Sequence, residues 1–393
     1  MSEEINDKKV YAMKMEKVFS PGVPQIVEHK INNTPWIWFG IDNAYPAFIA
    51  ELFNKSAMNR TALISKQVAV VGNGLKTIDP NQQSLLDFIN PEESYTEVFE
   101  KFALDFLTFG AGALNVIWSN DGTEIAEVYH LDVSTVRSGH IHLESQRVEE
   151  YYVSYDWSRY KKSEWKPKAY HRFDPSQAIQ HPSQIWYYSD YAIGQRYYAL
   201  PSYSGSLTDI ASSVEVSSYH LSALKNGLTP NLVIQMNGGD PGNIERNQIY
   251  ESITSAFSGT ENASKVMVFW NQSKDTASEI TPIPPTGDQY MLDLSSWLNT
   301  SILSGHMITS PKLLGIYNTE ASIQIGNNQQ EIITAYDLFK QQVVIPTTKS
   351  LLKPFNKIFK YKGGQGDLYI EPIKLFDNQA GQPQDTQVVT EMS

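Results

Sequence analysis

The sequence predicts an α+β protein, and three observations carry that reading. Apolar residues recur at helical spacing over 47–72, 94–110, 206–227, 287–307 and 327–359. Between 113 and 205 the pattern changes to short β-branched and aromatic runs separated by turns. A compact strand–turn–helix–strand–strand unit over 228–286 reads as an insertion, because helical character resumes at once after it.

The chain of 393 residues is long enough for two or three domains, and its hydrophobic (41%) and aromatic (12%) fractions are those of a folded protein. No uninterrupted apolar run reaches the length of a membrane span, and the charged N-terminus MSEEINDKKVYAMKMEK lacks the apolar core of a signal peptide. With no cysteine, disulfides and thiolate chemistry are excluded, which suits folding in a reducing cytoplasm. A formal charge of −12 argues against gripping DNA by its phosphates, which takes clustered lysine and arginine. The charge fits an ordinary acidic soluble protein, or a surface that stays near nucleic acid without sticking to it.

Residues 1–35 are polar, carry the breaker SPGVP at 20–24, and read as an N-terminal arm. WIWFGIDNAYP (36–46) is aromatic and ends in a turn. Over 47–72, Phe48, Leu52, Met58, Ala62, Ile64 and Val68 mark an apolar helical face, closed by GNG at 72–74 as C-cap and turn. A short helix is expected within DPNQQSLLDFINPEE. Ser94 or Thr96 followed by acids forms a capping box, and that helix runs to Gly110 before a strand.

The segments ALNVIW, EIAEVYHL, HIHLES, EEYYVSYDW and AIQHPSQIWYYS predict an antiparallel β region. Within it, His140, His142 and Glu144 have the chemistry to ligate a metal, or form a half-exposed strand. YYVSYDWSRYKKSEW fits an aromatic sugar-binding platform or plain hairpin packing. The helix over 206–227, about 30 Å long, is rich in serine and alanine, which suits close lateral packing or a solvated face.

In the inserted unit, PNLVIQMN (230–237), KVMVFWN (265–271) and SEITPIP (278–284) read as strands and 244–259 as a helix. After the next helix comes TSPKLLGIYNTEASIQIG (309–326), a Ser-Pro stop and an apolar knuckle followed by small and amide residues. It holds only two charges, Lys312 and Glu320. So long a connection is uncommon in a folded domain and is functional or disordered. The helix at 327–359 should kink at Pro346. A turn at KGGQGD, a closing strand in 369–377 and a polar tail at 378–393 end the chain.

No catalytic motif is visible: there is no phosphate loop, dinucleotide fingerprint, nucleophile elbow or HExxH. The carboxylate pairs Glu92/Glu93 and Glu149/Glu150 sit in turn-like or charged stretches, so the reading is not an enzyme, with no metal and no cofactor.

The order of elements resembles the portal proteins of tailed bacteriophages. YPAFIAELFNKSAMNRTALISKQVAVVGNGL is similar to that family's N-terminal helix, and LSALKNGLTPNLVIQ to its helix, Asn-Gly pair and strand. GTENASKVMVF matches a family G-x-x-N-A-x-K/R-V hinge, and SGHMITSPKLLGI resembles its "FGVPPxLLG", with Thr-Ser before Pro311. The resemblance spans roughly 40–360 and implies a portal-like organisation. Residues 36–205, completed by 360–377, would be the wing, 206–227 and 287–308 the stem helices, and 228–286 the clip. Residues 309–326 would be a tunnel loop, 327–359 the kinked helix above the wing, with the crown reduced or absent.

It further implies a ring, a dodecamer in that family, assembled in the host cytoplasm and placed at the capsid vertex of the virion. Double-stranded DNA would pass through it; large terminase, head–tail adaptor, major capsid protein and scaffolding protein would be partners, and no membrane is involved. Lys312, Leu313, Leu314, Tyr317, Asn318, Thr319, Ser322 and Gln324 would form the channel loop, hinged at Gly315 and Gly326. Arg246, Gln248, Tyr250 and Glu251 would serve partner binding in the clip. Ser212, Ser213, Ser217, Ser295, Ser296 and Ser301 would pack the stem. The alternative from another class is an aromatic-rich carbohydrate-binding or carbohydrate-active protein; a third is a head–tail adaptor, a class typically much smaller.

Overall fold

The computed structural model describes residues 28–29, 34–226, 232–236, 242–257, 266–270, 288–314 and 329–373. Strands β1 (Glu28–His29) and β2 (Trp38–Phe39) pair antiparallel ahead of the first helices. The segment expected as one helix over 47–72 is two, α1 (Tyr45–Lys55) and α2 (Ala57–Val71). The break is Ser56, extended at φ −90° and ψ 108°, buried, with its hydroxyl 3.0 Å from that of Ser213. Ser56 is the C-cap of α1 and the N-cap of α2, and its hydroxyl ties the break to α4, so continuous helical spacing folds as two rods. The buried face of α2 is also rotated from the expected one. Val68 is 52% exposed, while Leu63, Lys66 and Val70 are buried beside Ala62.

After β3 (Leu75–Thr77), the expected short helix is a 3-10 turn over Pro80–Leu86, tightened by Asp79, which accepts from the Asn81 N–H and the Gln82 amide. Helix α3 (Tyr95–Phe109) opens with the expected capping box, Ser94 and Glu97 bonded reciprocally, and ends at Gly110 in the left-handed region. Six strands follow: β4 (Ala111–Trp118), β5 (Ile125–Leu131), β6 (Val136–Ser138), β7 (Glu150–Val153), β8 (Lys168–Arg172) and β9 (Ser183–Ser189). They form one sheet in the order β5-β4-β9-β8-β7-β6. The pairing is antiparallel except between β8 and β9, which correct the wholly antiparallel expectation with two parallel residue pairs. The turn at Pro175–Gln177, capped by Asp174, returns the chain to the same end of the sheet.

Helix α4 (Leu207–Asn226) leads to β10 (Leu232–Met236), α5 (Gly242–Phe257) and β11 (Val266–Trp270), and the chain returns through α6 (Asp288–Gly305). β10 and β11 pair parallel, which requires a crossover between them; α5 lies in it. The further strand expected at 278–284 lies outside the described residues. Helix α7 (Gln329–Phe339) continues through a π-helical stretch, Lys340–Val344, into α8 (Ile345–Tyr361). Pro346 sits at the start of α8, so the expected kink takes the form of a widened turn, with the Ile345 N–H reaching the Lys340 carbonyl. In a straight α-helix the proline ring would collide with the carbonyl four residues back; the extra residue in the turn relieves that. Finally β12 (Leu368–Ile370) pairs antiparallel with β3. Gly72, at φ +57°, lets this closing strand pass: a Cβ there would lie 2.3 Å from the Glu371 carbonyl oxygen.

The two-residue period of β4 divides the interior. Leu114, Val116 and Trp118 face one core, and Ala111 and Ala113 face another. In the first core Phe355 meets Phe99 and Phe102 edge-on at 5.0 and 5.4 Å, each ring contributing about 2–3 kcal/mol by burial. In the second, Phe39 stacks on Tyr198 at 4.1 Å, above Tyr45 and Ile49 of α1.

Candidate functional site

Helices α4 and α6 carry large apolar residues that are buried only near one end. Leu207, Ile210, Leu298, Ile302 and Leu303 are buried, while Tyr219, Leu221, Leu292 and Trp297 are 54, 54, 64 and 58% exposed. The pair is therefore rooted in the body at one end and open to solvent at the other. The two run antiparallel, because the last residues of α6 meet the first of α4. A Cβ on Gly305 would lie 1.9 Å from Ser206 Oγ, and Ser301 Oγ donates to Asp209 Oδ2 at 2.5 Å. At 1.5 Å per residue the helices are roughly 30 and 27 Å long.

A buried polar cluster underlies this root. His306 Nε2 lies 2.9 Å from Asn59 Oδ1, its ring stacks on Tyr203 at 4.5 Å, and the Tyr203 hydroxyl donates to the Thr108 carbonyl. Burial, then the charge of Lys66, push the His306 pKa down to about 2, so the imidazole stays neutral at any working pH. Burial likewise pushes the Lys66 ammonium down to about 8. These groups position the helices rather than react, and the sequence reading missed them. The signal for Lys66 was present, since Leu63, Lys66 and Val70 are spaced as one helical face.

The end of α6 sets the direction of the chain that follows. The Ile308 N–H bonds the Leu303 carbonyl and the Met307 N–H the Ser304 carbonyl, both at 2.9 Å, with Met307 at φ 57°. This is a Schellman cap, whose left-handed position is usually glycine. A side chain there costs about 1–2 kcal/mol; the buried contact of Leu303 with Ile308 offsets it. Directly after, Pro311–Leu314 forms a 3-10 turn, and Thr309 Oγ1 donates to the Ala335 carbonyl of α7.

Leu313 and Leu314, expected on the channel side of the loop, are half-buried against the first core. Two adjacent leucines beside an apolar surface gain by burial, and they anchor the 3-10 turn to the body. Lys312 is half-buried in the same turn. Gly315, Tyr317, Asn318, Thr319, Ser322, Gln324 and Gly326 lie outside the described residues.

The serines of α4 and α6 divide by partner. Ser213 and Ser301 bond within the chain, to Ser56 and the Ile210 carbonyl and to Asp209 respectively. Ser217 is exposed and donates back to the Ser213 carbonyl; Ser296 is exposed, and Ser212 and Ser295 are half-buried. On α5, Gln248 and Glu251 are exposed and Arg246 is half-buried; Tyr250 lies on the same helix.

The features that suggested other chemistry have structural uses. His140 Nε2 pairs with the Thr34 carbonyl at 3.0 Å, His142 and Glu144 are exposed, and among the described residues no three ligand-type side chains gather to hold a metal. Trp36 is packed by Tyr152, Trp157 and Tyr160 at 5.4 to 5.6 Å, so those rings form a cluster instead of an open platform. Among the described residues no helix is long and apolar enough to cross a membrane.

The family model described as phage portal protein matches residues 63–373. Among solved structures, the chain is similar to a component of the virion of a native gene transfer agent particle, at 14% identity and a TM-score of 0.52, covering 82% of this chain and 83% of that one. It is equally similar to a chain from the neck of the native gene transfer agent particle computed with C12 symmetry, at 15% identity and a TM-score of 0.52, with coverage of 82% and 83%. An HK97 family phage portal protein from Corynebacterium diphtheriae is a more distant likeness, at 14% identity and a TM-score of 0.43, covering 79% and 88%. None of the curated proteins matches the chain in sequence.

Proposed function

Because the chain belongs to the phage portal protein family, a structural and not an enzymatic one, we propose that it is the subunit of a closed ring at the capsid vertex of a virion. DNA enters and leaves through the ring's channel. The observation that carries this reading is the antiparallel pair α4 and α6, rooted at one end and joined beyond its open end through the β10–α5–β11 unit. In this reading the pair is the stem, 228–286 the clip that docks large terminase and later the head–tail adaptor, and the segment after Leu314 the channel loop. The capsid shell meets the wing, and assembly takes place in the host cytoplasm.

The physics of a sliding channel supports the assignment. Each lysine or arginine that neutralises a phosphate adds a salt-dependent contact that resists movement. The segment 315–326 carries one charge, Glu320, and the whole chain is −12, so the duplex is held by shape and weakly repelled. Subunits related by rotation meet through heterologous surfaces that must close, and the exposed Tyr219, Leu221, Leu292 and Trp297 are the apolar material for that contact. The C12 symmetry of the related neck supports closure at twelve copies. Native mass spectrometry with negative-stain microscopy of the purified protein tests this: a twelve-copy ring with a central hole is expected. A monomer or dimer at micromolar concentration overturns it.

A further inference from the structure

Three of the chain's seven arginines, Arg147, Arg172 and Arg196, line one cleft of about 310 Å³ built on β7, β8 and β9. Arg147 comes from the turn before β7, Arg172 from the end of β8, and Arg196 from the loop after β9, so the tertiary fold gathers them. Guanidinium groups gathered in one cleft repel one another unless an anion offsets them. The acids nearby only partly do so. Asp174 lies 3.9 Å from Arg172, and Glu149 beside them is held by Ser145. Among the described residues, no ion pair joins the Arg147 or Arg196 guanidinium to a carboxylate.

A second observation concerns the same loop. The loop that carries Arg196 already holds one carboxylate: Glu28 of β1 accepts from the backbone N–H groups of Arg196, Tyr197 and Tyr198 at 2.6 to 3.0 Å. The cleft also offers Tyr151 and Tyr187, stacked at 5.4 Å, whose phenols stay protonated because burial raises both, and so remain donors. Ile141, Val148 and Ile185 add apolar lining.

We propose that this cleft binds a short acidic segment of a partner protein, with two or three carboxylates paired to the arginines and an apolar side chain against the Tyr151 and Tyr187 rings. Guanidinium and carboxylate match geometrically, two donors to two oxygens. The volume has room for roughly ten waters, or two to three side chains, so a duplex cannot enter it. The chain's negative charge also repels a long polyanion more than a short segment. This surface is separate from the stem, clip and loop, and the proposal does not depend on their roles.

The test uses the full chain and a fluorescently labelled acetyl-Asp-Glu-Phe-Asp-Glu-amide, read by anisotropy. Saturable binding is expected, weakened about tenfold or more by Arg147→Gln with Arg196→Gln, since hydrogen bonds to charged groups are the strong ones. Both arginines are exposed, so the double variant keeps the fold; adding Arg172→Gln should weaken binding further. The neutral acetyl-Asn-Gln-Phe-Asn-Gln-amide should bind about tenfold more weakly, and a short DNA duplex should not compete. Equal binding of the two peptides, or unchanged binding by the variants, overturns the proposal. Arginine-dependent displacement by the duplex overturns it in favour of nucleic acid. Native mass spectrometry of the same samples reads the ring separately.

Discussion

Replacing Lys66 by methionine should stabilise the protein at neutral pH. Lys66 is 2% exposed on α2 among buried Asn59, Ala62, Leu63 and Val70, and its charge bears on His306, itself fully buried. Burial lowers its pKa from 10.5 to about 8, which corresponds to a cost of roughly 3 kcal/mol for holding the charged form inside. The window follows from linkage. Below pH 8 the amine is protonated in both states and the folded chain bears the full cost. Between pH 8 and 10.5 the unfolded chain binds more protons than the folded one, so stability rises with pH, and above 10.5 the cost is gone. Methionine keeps a similar length without a charge, so Lys66→Met should add up to about 3 kcal/mol at pH 7. That advantage should shrink as pH rises from 8 to 10.5. Urea unfolding of both proteins across pH 6.5–10.5, followed by tryptophan fluorescence, measures the difference and cancels the tyrosines, which titrate alike in both. An advantage independent of pH, or a loss of stability at pH 7, would refute the reasoning that Lys66 is a buried cation.

Gly305→Ala should destabilise by about 1–3 kcal/mol, because its Cβ meets both Oγ and Cβ of Ser206; Ser206→Gly in the same chain should restore most of the loss, read as the urea midpoint. Met307→Gly should stabilise by about 1 kcal/mol, since Met307 is half exposed and its left-handed backbone suits glycine; Met307→Val should do the opposite by thermal unfolding. Replacing Asn318, Thr319 and Ser322 with lysine should slow DNA packaging, most at low salt. A packaging assay at normal rate in low salt would show that this segment does not touch the duplex.

Much of the element order was legible before any coordinates, because periodicity and capping are local. The capping box at Ser94, the helices over 207–226 and 288–305 and the strand–helix–strand order of the inserted unit each depend on residues within a few positions of one another. The family was legible for the same reason, through short patterns in a fixed order. The long, nearly neutral segment after α6 was legible as a candidate site, but not where its structured base lies.

What the tertiary structure alone decided depends on residues far apart in the chain. Ser56, at the break between α1 and α2, meets the hydroxyl of Ser213 of α4, and no pattern around position 56 announces that partner. Lys66 turns inward because His306 and its neighbours cover its side of α2, while Val68 is 52% exposed. Leu313 and Leu314 pack against the first core, and Ser301 donates to Asp209 of α4. Arg147, Arg172 and Arg196 become one site only when β7, β8 and β9 lie side by side. Periodicity tells a helix or strand that it has an apolar face; only packing tells each residue at the edge of that face which side it is on.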